Sequence, residues 1–211
     1  HDGTWEAMPA DDIAQVGRLL CFARGSDGSW LAGTERGWVL DLTAGPAAAK
    51  GERFLREGAV LSLAVDRAGH WWLGTDRTGL LRVCREVGEL WSTGEPQRCR
   101  SVIEHDGKFL VGSLGSGLLA KSEGGLLEPV RFPQAGDSMG FVNALLATEE
   151  GLWLGGEHRL QLWRKGSPGP PETVAELGSD DVIFALARDE AGHILAGTRG
   201  GQVLRLRAGA R

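Results

Sequence analysis

The 211-residue chain carries a formal charge of -5, with 42% hydrophobic and 24% charged residues. These proportions exclude a disordered or collagen-like chain, and 23 basic against 28 acidic residues leave no footprint for nucleic acid. No apolar run approaches the ~20 residues of a membrane-spanning helix, so no membrane insertion is expected. Against this ordinary background stand 33 glycines, where average usage of ~7% gives roughly 15. A glycine excess with no collagen period means many tight turns.

Residues 3–8, GTWEAM, read as a lone strand. Ile13, Val16, Leu19 and Leu20 have helical spacing after Asp11-Asp12, but Gly17 interrupts it, which allows one short helical turn over 11–16. Five similar segments follow: LLCFARGSDGSWLAGTERGWVLDL from Leu19, VLSLAVDRAGHWWLGTDRTGLLRV from Val60, RSVIEHDGKFLVGSLGSGLLAK from Arg100, VNALLATEEGLWLGGEHRLQLWR from Val142 and VIFALARDEAGHILAGTRGGQVLRL from Val182. Each has a short apolar run, a turn with an acidic residue and glycine, a second run closing on glycine, and a third run. The closing glycines are Gly33, Gly74, Gly112, Gly155 and Gly197, spaced 41, 38, 43 and 42 residues apart. Runs of four to six residues rich in Val, Leu, Ile and Trp predict strands, and Asp-Gly or Asp-x-x-Gly between the first two predicts a hairpin.

A weaker fourth strand is read at 52–56, 89–93, 127–131 and 173–177. Four strands per ~42 residues is the size of one β-propeller blade. The fold expected is therefore all-β, a single five-bladed β-propeller with four antiparallel strands per blade. The blades fall at about 18–57, 58–93, 94–132, 133–177 and 178–211. The fifth repeat stops after its third strand, and residues 3–8 are expected to complete it, closing the ring and removing two exposed edges.

The phrase DRAGHWWLGTDRTGL at 66–80 resembles the two-component-regulator propeller repeat, found in sensor regions of bacterial hybrid histidine kinases and other bacterial proteins. Residues 28–34, 151–156 and 192–198 match it less closely. The resemblance covers nearly the whole chain. It implies the propeller fold and a sensory or regulatory binding role, with no catalytic residues to carry over; sensors of that family usually have more than five blades.

Alternating strand direction puts the turn between strands two and three at the same end as the link to the next blade. That end gathers the candidate contacts for a protein or peptide partner: Arg18, Glu35, Arg36, Asp76, Arg77, Arg98, Met139, Phe141, Asn143, Glu157, His158, Asp180, Asp181 and Arg199. The longest link, 133–141, sets Met139 and Phe141 among small and polar residues, as a cap or a partner anchor. For any single charged residue the competing reading is a solvated rim.

Two other classes compete. A lectin-like propeller would stack sugars on repeated aromatics, although most of the eight tryptophans should pack between blades; adjacent Trp71 and Trp72 must face opposite sides of their sheet. A glycosidase or lyase would need paired carboxylates, and the first strands offer only Glu104. His70 and His193 occupy equivalent positions in different blades, too far apart to share a metal; no metal and no cofactor are implied. Cys21, Cys84 and Cys99 read as buried thiols, which suit a reducing compartment slightly better than an oxidising one; the sequence leaves the compartment open. As a domain the chain is expected to be a monomer.

Overall fold

The computed structural model describes residues 14–25, 27–83, 88–91, 97–122, 126–132 and 140–207. Five antiparallel sheets form in sequence order. Sheet 1 holds β1 (Leu19–Arg24), β2 (Trp30–Thr34), β3 (Trp38–Asp41) and β4 (Lys50–Arg53). Sheet 2 holds β5 (Val60–Val65), β6 (Trp71–Thr75), β7 (Leu80–Val83) and β8 (Gly88–Trp91). Sheet 3 holds β9 (Arg98–His105), β10 (Lys108–Leu114), β11 (Gly117–Lys121) and β12 (Leu127–Pro129). Sheet 4 holds β13 (Val142–Thr148), β14 (Gly151–Gly156), β15 (Arg159–Arg164) and β16 (Glu172–Glu176). Sheet 5 holds β17 (Ile183–Arg188), β18 (Ile194–Thr198) and β19 (Val203–Leu206). Each is a simple meander, as the spacing predicts. Among the described residues, helical structure is confined to 14–16 and a short turn at Pro46–Ala48. The strand expected at 3–8 lies outside the described residues, as do Met139 and Cys84.

The repeated residues have identifiable work. Asp106 and Gly107 both take positive φ, 49° and 72°, the demand of a two-residue hairpin turn. In the longer turn of sheet 2, one Asp66 carboxylate oxygen receives the backbone N–H of Ala68 at 2.9 Å and of His70 at 2.8 Å. The threonine after the periodic glycine closes the next turn: buried Thr75 donates its hydroxyl to Gly79 O and receives Thr78 N–H, both at 2.9 Å. Ser113 bonds Gly117 O in the same way in sheet 3. The periodic glycine itself makes room for the first strand of the following sheet. A Cβ on Gly33 would lie 2.6 Å from Val60 Cγ1, and one on Gly155 would lie 2.5 Å from Ile183 Cγ2.

The chain divides into two compact units, 1–102 and 103–211, with the division inside β9. In the first unit one face of sheet 1, its forward face, carries Cys21, Ala23, Leu31 and Val39. It packs on the opposite, rear face of sheet 2, which carries Leu63, Val65, Trp71, Leu73 and Leu81. The second unit repeats the arrangement twice. The forward face of sheet 3 (Ile103, Leu110, Leu118) meets the rear of sheet 4 (Leu145, Leu152, Leu154, Trp163). The forward face of sheet 4 (Ala144, Trp153, Leu160, Leu162) meets the rear of sheet 5 (Leu186, Ile194, Ala196, Leu204). Within each unit the core is thus a set of layers between successive sheets.

Two boundaries correct the sequence reading. The fourth strand of sheet 1 forms at Lys50–Arg53 instead of 52–56. Phe54 and Leu55 leave the ladder because both backbone N–H groups turn to Gly37 O. Leu55 then enters the core, and Phe54 meets Trp71 edge-on at 6.0 Å. The fourth strand of sheet 3 ends at Pro129 instead of 131. A proline, lacking N–H, suits the rim of an outer strand.

Candidate functional site

In the first unit the sequence-predicted residues sit at the turns between second and third strands, and most are engaged in holding those turns. Arg18 Nε donates to Glu35 Oε2 at 2.7 Å; hydrogen bonding from Arg18 keeps the Glu35 carboxyl below its ordinary value. Arg36 donates to the carbonyl of Ala14 and thereby fastens the helical turn at 14–16 to sheet 1. Asp76 receives Ala59 N–H at 2.9 Å, tying the turn to the link from sheet 1, and Arg77 lies 3.9 Å from Asp76. The side chains of Arg18 and Arg77 remain 81% and 69% exposed, so they can still offer charge to a partner. Arg98 at the start of β9 is exposed as well. Arg100, two residues on, is half-buried; burial first and then the charge of Arg98 hold its guanidinium below the ordinary value.

In the second unit Asp181 works as Asp76 does. Its Oδ1 receives Val182 N–H at 2.9 Å and Gly200 N–H at 3.1 Å, and these backbone bonds, Gly200's first, hold its carboxyl below the ordinary pKa. Arg199 donates to Asp180 O at 2.5 Å. His158 takes φ of +60°, where Gly37 and Gly201 stand in the equivalent turns of sheets 1 and 5, and its ring nitrogen lies 3.2 Å from Gly178 O. Glu157 makes a backbone bridge to Val182. Phe141 is 37% exposed.

Asn143 is a correction. It was expected at an accessible rim and is 3% exposed instead. It stands at a β-bulge: pairing skips from Val142↔Gly156 to Ala144↔Gly155, leaving Asn143 as the extra residue. Its amide oxygen and nitrogen have no hydrogen-bond partner among the described residues. The same skip recurs at Leu20, Leu61 and Phe184. Period-two alternation hides this feature, since a bulge shifts the pattern by one residue without any marker residue of its own.

At the hairpin-turn end the sequence reading left a repeated cluster unassigned. In sheet 2, His70 Nδ1 lies 2.9 Å from Asp66 Oδ2, and Arg82 Nη2 lies 3.1 Å from the same ring nitrogen. In sheet 5, His193 Nδ1 lies 2.9 Å from Asp189 Oδ2, with Arg205 Nη2 at 3.0 Å. The recurring signal is Asp-x-x-x-His with an arginine on the third strand. Burial opposes ionisation of Asp66, but hydrogen bonds from His70 and the Trp72 indole outweigh it and leave the carboxyl below its usual range. The cluster clamps the turn to the third strand. Among the described residues no group of three His, Cys, Asp or Glu side chains is placed to hold a metal ion.

The aromatics and thiols are mostly structural. Trp72 and Trp153 are buried, with indole N–H groups bonded to Asp66 and Thr148. Trp163 bonds Ser167 O and meets Phe132 edge-on at 5.0 Å. Trp30 differs at 46% exposure, with the Arg24 guanidinium 5.4 Å from its ring centroid. Equivalent exposed aromatics do not recur in the other described second strands, so this chain lacks a repeated set of stacking platforms there. Burial pushes the free thiols of Cys21 and Cys99 up to about 12, which keeps them protonated and unreactive.

No protein-family model matches the chain, and no curated protein does. Solved structures do. The extracellular domain of BT4673 from B. thetaiotaomicron, described as part of a hybrid two component system, superimposes with a TM-score of 0.72 at 19% identity, covering 92% of this chain and 27% of that one. A second structure of the BT4673 extracellular domain, described as part of a one component system, gives 0.67 at 21% identity over 89% of this chain and 27% of that one. PorZ, a bacterial surface component of the type-IX secretion system of Porphyromonas gingivalis, gives 0.66 at 14% identity over 92% of this chain and 34% of that one. The chain therefore spans about a quarter to a third of the structures it matches. At these identities the similarity establishes the fold alone.

Proposed function

We propose that the chain is a non-catalytic sensory or regulatory binding domain whose five sheets are propeller blades of the two-component-regulator type. The observation that supports this reading most is the fold match over 92% of the chain to the extracellular domain of a two-component-type system. The buried, protonated thiols of Cys21 and Cys99 do not require a reducing compartment, so they are compatible with an extracellular setting like that of these neighbours.

Binding is assigned, within each unit, to the ends of the sheets that bear the turns between second and third strands, with a protein or peptide as partner. The roles divide by engagement. Glu35, Arg36, Asp76, Asp180, Asp181 and Arg199 hold the turns in place, while Arg18, Arg77, Arg98 and Phe141 present exposed charge and an apolar anchor. Rigid turns carrying a few exposed side chains suit recognition, since little ordering entropy is lost on binding. The test is a peptide array and a glycan array probed with labelled chain. Peptide hits that vanish in R77E/R98E and persist in R67E, at the hairpin-turn end, support the reading. Hits confined to glycans, or peptide hits lost only in R67E, overturn it.

A further inference from the structure

In sheets 1, 2 and 5 the residue left over at the bulge near the start of the first strand is Leu20, Leu61 and Phe184. All three are apolar. Sheet 4 places Asn143 there, the one asparagine of the whole chain. It is 3% exposed, and among the described residues neither its Oδ1 nor its Nδ2 has a hydrogen-bond partner. Both atoms are shut off from solvent, so a water cannot relieve them where they stand. An amide buried without partners lowers the stability of a fold, and an apolar side chain of the same size, such as that of Leu61, does not.

The position permits movement. Val142 and Ala144, on either side, pair with Gly156 and Gly155 and pack into the core. Asn143 between them has no cross-strand partner, so its side chain can turn outward without breaking the ladder. The corresponding Leu61 of sheet 2 is only half-buried, so the position itself is not a sealed one. Turned out, the amide gains the hydrogen bonds it lacks inside, which offsets the packing lost. It emerges at the end of sheet 4 that bears the turn at Glu157 and His158, because Val142 faces Gly156, the last residue of β14 before that turn. Phe141, two residues before Asn143, is 37% exposed there.

We propose that Asn143 is a recognition residue for an extended peptide: its side chain turns out of sheet 4, and its carboxamide pairs with the main-chain N–H and C=O of one peptide residue. This rests on the peptide-binding role proposed above. A carboxamide sets one acceptor beside one donor group. An extended residue offers the complement, its own N–H and C=O on the same edge, as in the paired positions of an antiparallel ladder. A carboxylate, which only accepts, would leave Oδ1 unbonded. Because the contact is to main chain, it fixes the peptide's register and leaves its sequence to Phe141 and the exposed charges.

The test uses the full chain carrying nitrogen-15 only in asparagine, which gives a single side-chain NH2 signal pair, and the peptides that bind on the array. In the free chain both protons are expected at the shifts of an amide without hydrogen bonds. Saturating peptide moves one of them downfield. In Asn143→Leu the melting temperature is expected to rise, while affinity for the same peptides falls about tenfold, the scale of two lost hydrogen bonds. A purely structural residue would move stability and affinity in the same direction or leave affinity alone. An NH2 pair unmoved by peptide, a pair moved by a glycan instead, or an Asn143→Leu chain that melts lower or binds as the wild type does overturns the proposal. If Asn143→Leu binds as the wild type and R77E/R98E does not, the binding role above stands without it; an array with no peptide hits removes both.

Discussion

The periodic glycine makes opposite demands at two places where the sequence looks the same. In Gly155→Ala the new Cβ would lie 2.5 Å from Ile183 Cγ2, 3.0 Å from Ile183 Cβ and 3.4 Å from Ala144 Cβ. Carbon atoms rest at about 3.5–4.0 Å, so the layers must part by about 1 Å. Ile183 is fully buried at the start of β17, flanked by Leu160 and Ile194, and cannot rotate away. Overpacking of this kind costs about 1–3 kcal/mol. For a chain of this size about 2–4 °C is lost per kcal/mol, so the melting temperature falls by roughly 2–12 °C. In Gly197→Ala the nearest contact is an ordinary 3.7 Å, and replacing a strand glycine lowers the entropy lost on folding by about 0.5–1 kcal/mol. That variant should melt at the wild-type temperature or a few degrees higher. Thermal unfolding by circular dichroism on dilute protein measures both. Equal shifts in the two variants, or no loss in Gly155→Ala, would refute the layer-packing account.

Two other variants probe the turns. Thr75→Val keeps the shape of a fully buried side chain but leaves Thr78 N–H without its acceptor, at a cost of about 1–3 kcal/mol in urea unfolding. Thr198→Val should cost less, because Thr198 is half-buried and its bond from Gln202 N–H is long at 3.3 Å. The paired substitutions Asp66→Asn and Asp189→Asn address pH. Both carboxyls titrate below their ordinary value when folded, so their ionised forms add stability above the unfolded value of about 3.9. That contribution disappears as pH falls through the folded values. Urea midpoints between pH 6 and 3 should drop less steeply in the double variant; an unchanged slope contradicts the clamp.

The strands were legible because three signals coincide: short β-branched and aromatic runs, acidic-glycine turns, and a glycine every ~40 residues that the neighbouring layer requires. The fourth strand of sheet 1 was displaced because the apolar Phe54 and Leu55 look like strand residues, while their N–H groups belong to Gly37 O. That the candidate residues stand at turns was legible; what each side chain holds there was legible only in part. Charge at a turn does not reveal that the Asp76 oxygen points to Ala59 N–H or that Arg36 reaches Ala14. Asn143 was misplaced because its place just after the 133–141 link reads as rim, while in the structure it is a buried residue at the start of β13. The exposure of Trp30 was hidden for a different reason: its position carries Trp71 in sheet 2, and only coordinates show that one is covered by Phe54 and the other is not.

The claim that recognition uses one particular end of the sheets is tested most directly by hydrogen–deuterium exchange on the chain with and without a peptide selected from the array. The account predicts slowed exchange at the turns of residues 35–37, 76–78, 157–158 and 199–201, with the hairpin turns at 27–28, 66–69 and 189–192 unchanged. Protection of the hairpin turns alone, with the first set exchanging as in the free chain, would contradict it.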